Sequence, residues 1–209
     1  MSGGSKSGSV TEHLFKILVI GDSGVGKTSF VNRYVKNHFS SHLKLTLGVD
    51  FSMKVIDWDS KTLVRLQLWD ISGHEHFKNM SRAYFKGARG ALVVYDVTKE
   101  STLEGALSWK LELDHKVVTD KGRPIPSVLL ANKCDRSKVC SNEPCHIDRL
   151  CREKGFTGWF EVSATNLQSH RVAVKRSHSE RDRELCMTSP CLCPVRHGGG
   201  PMWESRWLT

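Results

Sequence analysis

Residues 21–28 read Gly21-Asp22-Ser23-Gly24-Val25-Gly26-Lys27-Thr28, a full match to G-x-x-x-x-G-K-[ST]. The chemistry this spacing serves is phosphate binding. Glycines let backbone N–H groups curl closely around phosphate oxygens, the lysine supplies positive charge, and the threonine hydroxyl can grip magnesium. A chance glycine-rich turn would need neither the apolar run before it, residues 15–20, nor the helical pattern expected after it. The sequence therefore predicts a nucleoside-triphosphate site.

Three shorter motifs follow in an order that completes such a site. Asp70-Ile71-Ser72-Gly73 ends an apolar-alternating stretch, where a carboxylate can hold magnesium through water and the Gly73 amide can meet a γ-phosphate. Thr46 lies in the preceding loop, placed to offer the metal a second hydroxyl. Asn132-Lys133-Cys134-Asp135 ends a later apolar run, and its aspartate can accept two N–H bonds from the edge of guanine, which adenine cannot offer. Sites built around such bonds discriminate by as much as ~10⁴ to 10⁵, because the wrong base leaves buried polar groups unpaired. Each motif alone is common at turns and strand ends. Their order behind a complete phosphate loop gives them weight.

These residues need a scaffold that gathers loops at one edge. Strands are expected over residues 15–20, 50–58, 62–69, 91–96, 127–131 and 159–162, several of them nearly unbroken apolar runs suited to a sheet covered on both faces. Helices are expected over 27–37, 75–86, 101–117 and 146–154, the third marked by Leu103, Leu107 and Leu111 behind a Ser101-x-x-Glu104 capping box. Alternating strands and helices predict an α/β doubly wound, mostly parallel sheet with its ligand at the carboxyl ends of the strands. The 209 residues, 39% hydrophobic, fit one domain. No run reaches the ~18 to 20 apolar residues of a membrane span. Met1 to Glu12 lacks the apolar centre of a signal peptide, and Gly3 stands one place too late for myristoylation, so a cytoplasmic protein is expected. Seven cysteines, an odd number, then read as free thiols. Zinc sets drawn from Cys140, Cys145, His146 and Cys151, or from Cys186, Cys191, Cys193 and His197, lack a paired knuckle. The net charge of +9 is scattered without an aromatic-basic stripe, so a solvated surface is expected rather than a nucleic-acid partner.

With these motifs in place, the chain resembles a small GTPase of the Rab family, within the Ras-like P-loop NTPases, over roughly residues 13–164. Leu47-Gly48-Val49-Asp50-Phe51, Arg65-Leu66-Gln67-Leu68-Trp69-Asp70 and Arg82-Ala83-Tyr84-Phe85-Lys86-Gly87-Ala88 carry the likeness. Residues 55–60, 130–135 and 155–160 are similar to the branch serving melanosomes and other lysosome-related organelles. The resemblance implies GTP and GDP contacts from Ser23, Gly24, Val25, Gly26, Lys27, Thr28, Ser29, Phe39, Thr46, Gly73, Asn132, Lys133, Asp135, Ser163 and Ala164. It implies magnesium at Thr28, Thr46 and Asp70, and hydrolysis involving Lys27, Thr46, Gly73 and His74. Phe51, Trp69 and Tyr84 match the aromatic trio through which the family shows its switch state to effectors; ordinary core packing is the competing account of them. A monomer is implied, with an exchange factor, a GTPase-activating protein and GTP-state effectors as partners.

The chain also departs from the family. His74 stands where a glutamine orients attacking water, which predicts slow intrinsic hydrolysis of GTP. Translation GTPases carry a histidine at the equivalent place and hydrolyse when a partner sets it. Leu43 replaces a common tyrosine, and Thr165 replaces the lysine of Ser-Ala-Lys. Three regions are expected: a disordered stretch at 1–12, the G domain at 13–165, and a divergent, disordered tail at 166–209 that lacks helical spacing, so the last helix is expected to be missing. Its loss would uncover apolar sheet surface and leave the fold reliant on bound nucleotide. Cys191-Leu192-Cys193 resembles a geranylgeranylation pair, but sixteen residues follow it, so stable membrane anchoring is not expected. Two alternatives to a GTPase switch stay open: a non-hydrolysing or unstable variant that only binds regulators, and an ATPase or nucleic-acid GTPase.

Overall fold

The computed structural model describes residues 10–41, 45–74, 83–136 and 144–165, and the backbone of 171–174. A seven-stranded sheet runs through the molecule. Its strands are β1 (Thr11–Ile20), β2 (Val49–Asp59), β3 (Thr62–Ile71), β4 (Gly90–Asp96), β5 (Ser127–Asn132), β6 (Gly158–Val162) and β7 (Arg171–Val174), in the spatial order β2-β3-β1-β4-β5-β6-β7. Strand β1 pairs parallel with both β3 and β4, β4 with β5 and β5 with β6, while β2 runs antiparallel to β3. The chain winds outward from β1 in both directions. A crevice therefore opens at the carboxyl end of β1, where the phosphate loop sits.

Among the described residues three complete helices accompany the strands: α1 (Lys27–Lys36), α2 (Ser101–Lys116) and α3 (Pro144–Glu153). Helix α1 ends at Asn37, which takes a left-handed φ of 52° and donates its N–H to the Arg33 carbonyl at 3.0 Å. Asparagine is one of the few side chains that tolerates this. Helix α2 differs from its expected pattern in two ways. Glu100 rather than Ser101 occupies the N-cap, with no side-chain capping bond, and the buried residues are Thr102, Ala106, Trp109, Lys110 and Leu113. Leu111 is exposed. Leucines four apart drift about 40° per step on a 3.6-residue helix, whereas the spacing 102-106-109-113 stays on one face.

The core lies on both sheet faces. Trp109, Leu113, Ile147 and Cys151 of α2 and α3 pack with Leu18, Val93, Leu129 and Trp159 on one side. Phe30 and Val31 of α1 join Val19, Leu68, Val94 and Leu130 on the other. On that second face Leu92, Val128 and Phe160 are no more than 6% exposed.

Strand β7 lies in the stretch that the sequence reading expected to be a divergent tail. Arg171–Val174 pairs antiparallel with β6, Phe160 opposite Val172. Val172 and Val174 lack helical spacing but have the two-residue period of a strand. Residues 75–82 of the expected second helix, Leu43, Cys140, residues 1–9, and the rest of the tail with Cys186, Cys191, Cys193 and His197 lie outside the described residues. Among those described, Cys134, Cys145 and Cys151 form no disulfide, and burial pushes the Cys151 thiol up to about 12. No described helix is long and apolar enough to cross a membrane.

Candidate functional site

A cavity of about 330 Å³ opens at the carboxyl edge of the sheet, a size typical of small-molecule sites. Ser23, Gly24, Gly26, Lys27, Thr28 and Ser29 line one end and Asn132, Lys133, Asp135 and Ala164 the other, with Phe39, Thr46 and Gly73 between them. Val25 and Ser163 stand just behind this wall. The Val25 carbonyl accepts a bond from Asn132 Nδ2 at 2.7 Å, and Ser163 Oγ donates to Asp135 at 2.5 Å.

Close packing fixes the shape of the loop. Gly26 has a φ of 95°, and a Cβ there would meet Asn132 Nδ2 at 2.5 Å. A Cβ on Gly73 would lie 2.3 Å from the backbone of Asp22 and Ser23, so the end of β3 can touch the phosphate loop only through glycine.

Lys27 is buried at the floor and donates to the carbonyls of Gly21 at 2.8 Å and Asp22 at 2.7 Å. Desolvation lowers its pKa to about 8, against the pull of Asp70 and Asp22. Asp70 shows the opposite effect. Burial raises its carboxyl to about 6 despite the Thr28 hydroxyl and the Lys27 charge. Thr28 Oγ1 lies 2.5 Å from Asp70 Oδ2 and 2.6 Å from Thr46 Oγ1. Asp70 Oδ1 is buried with no partner. Two hydroxyls and a carboxylate with an orphaned oxygen form the hard-oxygen donor set that magnesium prefers, the rest of its shell falling to phosphates and water. The residues present fit that ion.

At the far end, Asn132 spans two loops, Nδ2 on Val25 and Oδ1 buried without a partner. Lys133 donates to the Gly24 carbonyl at 2.9 Å and to Asp96 at 2.5 Å. Burial raises the Asp135 carboxyl, but hydroxyl bonds from Ser163 and Thr165 outweigh it, so the group sits below the usual carboxylate range.

Some predicted residues stand apart. His74 is exposed and is not part of the cavity wall; its N–H lies 3.5 Å from Ser72 Oγ. Phe51 and Trp69 are cross-strand neighbours in edge-to-face contact, 4.4 Å between centroids, outside the cavity. Lys16 covers the Trp69 ring at 3.3 Å, and Tyr84 packs against the same core cluster as Trp69. Sequence reasoning passed over Asp96, whose carboxylate holds Lys133, and gave Asp22 no role beyond the loop, although its carboxylate accepts from Trp109 Nε1 at 3.0 Å. Neither contact follows a local pattern.

A mostly parallel sheet with its phosphate loop at the switch point and an Asn-Lys-x-Asp loop across the same cavity defines a P-loop G domain. The family model for the Ras family matches residues 16–178, and the chain belongs to that family. Among its relatives it is similar to Ras-related protein Rab-32 of Homo sapiens, 60% identical over 153 residues, covering 73% of this chain and 68% of that protein. It is 54% identical to Ras-related protein Rab-32A of Dictyostelium discoideum over 155 residues, 73% of this chain and 71% of that one. Ras-related protein Rab-7L1 of Homo sapiens is 49% identical over 164 residues, 78% and 80% of the two chains. Membership as a Rab-type small GTPase implies a nucleotide switch in vesicle traffic, GTP hydrolysis, magnesium, and exchange-factor, activating-protein and effector partners.

Proposed function

We propose that the cavity binds GTP and GDP with magnesium, the phosphates on residues 23–29 and the guanine between Phe39 and the Asn132-Lys133-Cys134-Asp135 loop. The observation that carries this reading is the single cavity lined by the phosphate loop at one end and by Asn132 and Asp135 at the other. Lys27 meets the β- and γ-phosphates, and Gly73 brings its amide to the γ-phosphate. Asp135 accepts the two N–H groups of guanine. Thr28, Thr46 and Asp70 would hold magnesium, which would supply positive charge to the phosphate oxygens. When water attacks the γ-phosphorus, the residues position and stabilise; His74 stands at the water-orienting place with no amide to offer, so hydrolysis is slow and the GTP form persists. Phe51, with more than half its surface exposed beside Trp69, presents that state to effectors of the lysosome-related organelle route.

Chromatography of the nucleotide released from the purified chain tests the reading. Guanine nucleotide is expected; a well-folded chain carrying none and taking up neither GDP nor GTP with magnesium refutes it. Single-turnover hydrolysis then tests His74, and a rate equal to that of a glutamine-bearing relative removes the slow-hydrolysis proposal. A chain that binds GTP without turnover points instead to the regulator-binding module, which a His74 outside the cavity wall favours.

A further inference from the structure

We infer that Arg33, on α1 and outside every motif quoted above, is a positioning residue that aims Asp135 at the base; the inference rests on the guanine-nucleotide reading. Its guanidinium ties the end of α1 to residues 164–165. Nε donates to the Ala164 carbonyl at 2.8 Å and Nη2 to the Thr165 carbonyl at 3.0 Å. Nη1 donates to the carbonyl of Asn37 at 3.1 Å and to its side-chain oxygen at 3.2 Å. The guanidinium carbon lies 6.0 Å from the centre of the Phe39 ring, at the edge of cation–π range.

These bonds lead to the proposed guanine reader. In a trans peptide the C=O and N–H point in opposite directions, so fixing the Ala164 carbonyl fixes where the Thr165 N–H points. That N–H donates to Ser163 Oγ at 3.2 Å, and Ser163 Oγ donates to Asp135 Oδ1 at 2.5 Å. Arg33 therefore sets, through one peptide plane and one hydroxyl, the direction of the carboxylate. Only arginine offers donors in a rigid fork able to hold two successive carbonyls on one side and a helix end on the other; a lysine ammonium is a point charge.

A merely structural arginine and a positioning one differ in base discrimination. Inosine diphosphate lacks the 2-amino group and so one of the two N–H groups that Asp135 accepts. In the full chain with magnesium, fluorescent GDP and fluorescent IDP are compared by dissociation rate and affinity in wild type, Arg33→Ala and Arg33→Lys. The preference for GDP is expected to fall about tenfold in both variants, ~1.4 kcal/mol. Should Arg33→Ala fail to fold, Arg33→Lys, which keeps the charge and stem, is read alone. Equal weakening of GDP and IDP, or an unchanged preference in Arg33→Lys, overturns the inference. A wild type that binds GDP but shows no preference over IDP, or binds neither, removes the guanine reading itself and this inference with it.

Discussion

At Lys27, burial and charge oppose each other: the residue is 5% exposed, and its ammonium donates to main-chain carbonyls. Methionine has nearly the same length and prefers such a place, so Lys27→Met should keep the fold while removing the charge that meets phosphate. Titration calorimetry is expected to show GDP affinity down by at least about a hundredfold, ~2.7 kcal/mol; retention of wild-type affinity would place the phosphates elsewhere. Asp96 is a second case. It is 1% exposed, yet Lys133 and the Thr98 bonds overcome the burial penalty and lower its pKa. A carboxylate lowered on folding contributes stability above its unfolded pKa, about 3.9, and loses it as pH falls through the lower folded value. Asp96→Asn should therefore cost roughly 3 kcal/mol in urea unfolding at pH 7, with the gap to wild type closing below about pH 4. A gap independent of pH would mean that the pair is not what stabilises the fold. The residues of the phosphate loop, Asp70 and Asn132 were legible in the sequence because each sits in a compact motif. Asp96 and Arg33 were not, since their partners lie 37 and 131 residues along the chain and no local spacing encodes such contacts.

For whole elements, strands proved easier to read than the faces of helices. Apolar runs located six strands to within a few residues; β4, β5 and β6, buried at every position, show in composition alone, while β3 shows by alternation. Helix α2 was located as well by Leu103, Leu107 and Leu111; Leu103 and Leu107 pack at the edge of the core and Leu111 is exposed, while Trp109, Ala106 and Leu113 are the residues fully buried. A wide amphipathic face tolerates several apolar residues outside it, and only packing against β4 selects among them. Leu113 is fully buried while Leu111 is 59% exposed, so two chemically identical truncations should differ sharply. Leu113→Ala is expected to lower stability by ~2 to 5 kcal/mol and Leu111→Ala by no more than ~0.5. Equal losses in denaturant melts would restore the leucine stripe to the core.

Across the whole molecule, the sheet has two rims, and what closes the second one was hidden from a reading that looked only for helical spacing after residue 165. Strand β6 is buried at all five positions and pairs with β5 on one side. Its other side would expose unpaired main-chain groups if β7 did not lie against Gly158 to Glu161. A chain ended after Val174 keeps that strand and one ended after Thr165 loses it, so the pair isolates the contribution of β7 from that of everything later. The shorter chain is expected to melt lower by roughly 1 to 3 kcal/mol of backbone pairing, or about 2 to 12 °C for a domain of this size, with faster hydrogen exchange at Trp159 to Glu161. Bound nucleotide provides the control. GDP at a thousand times its dissociation constant adds ~4.1 kcal/mol by mass action, and because the paired residues 158–161 are not in the cavity wall, it should raise the melting of both chains by a similar amount. Equal melting of the two chains, with and without GDP, would show that the seventh strand contributes nothing to stability; a GDP response lost only in the shorter chain would show instead that β7 supports the base loop formed by Ser163, Ala164 and Thr165.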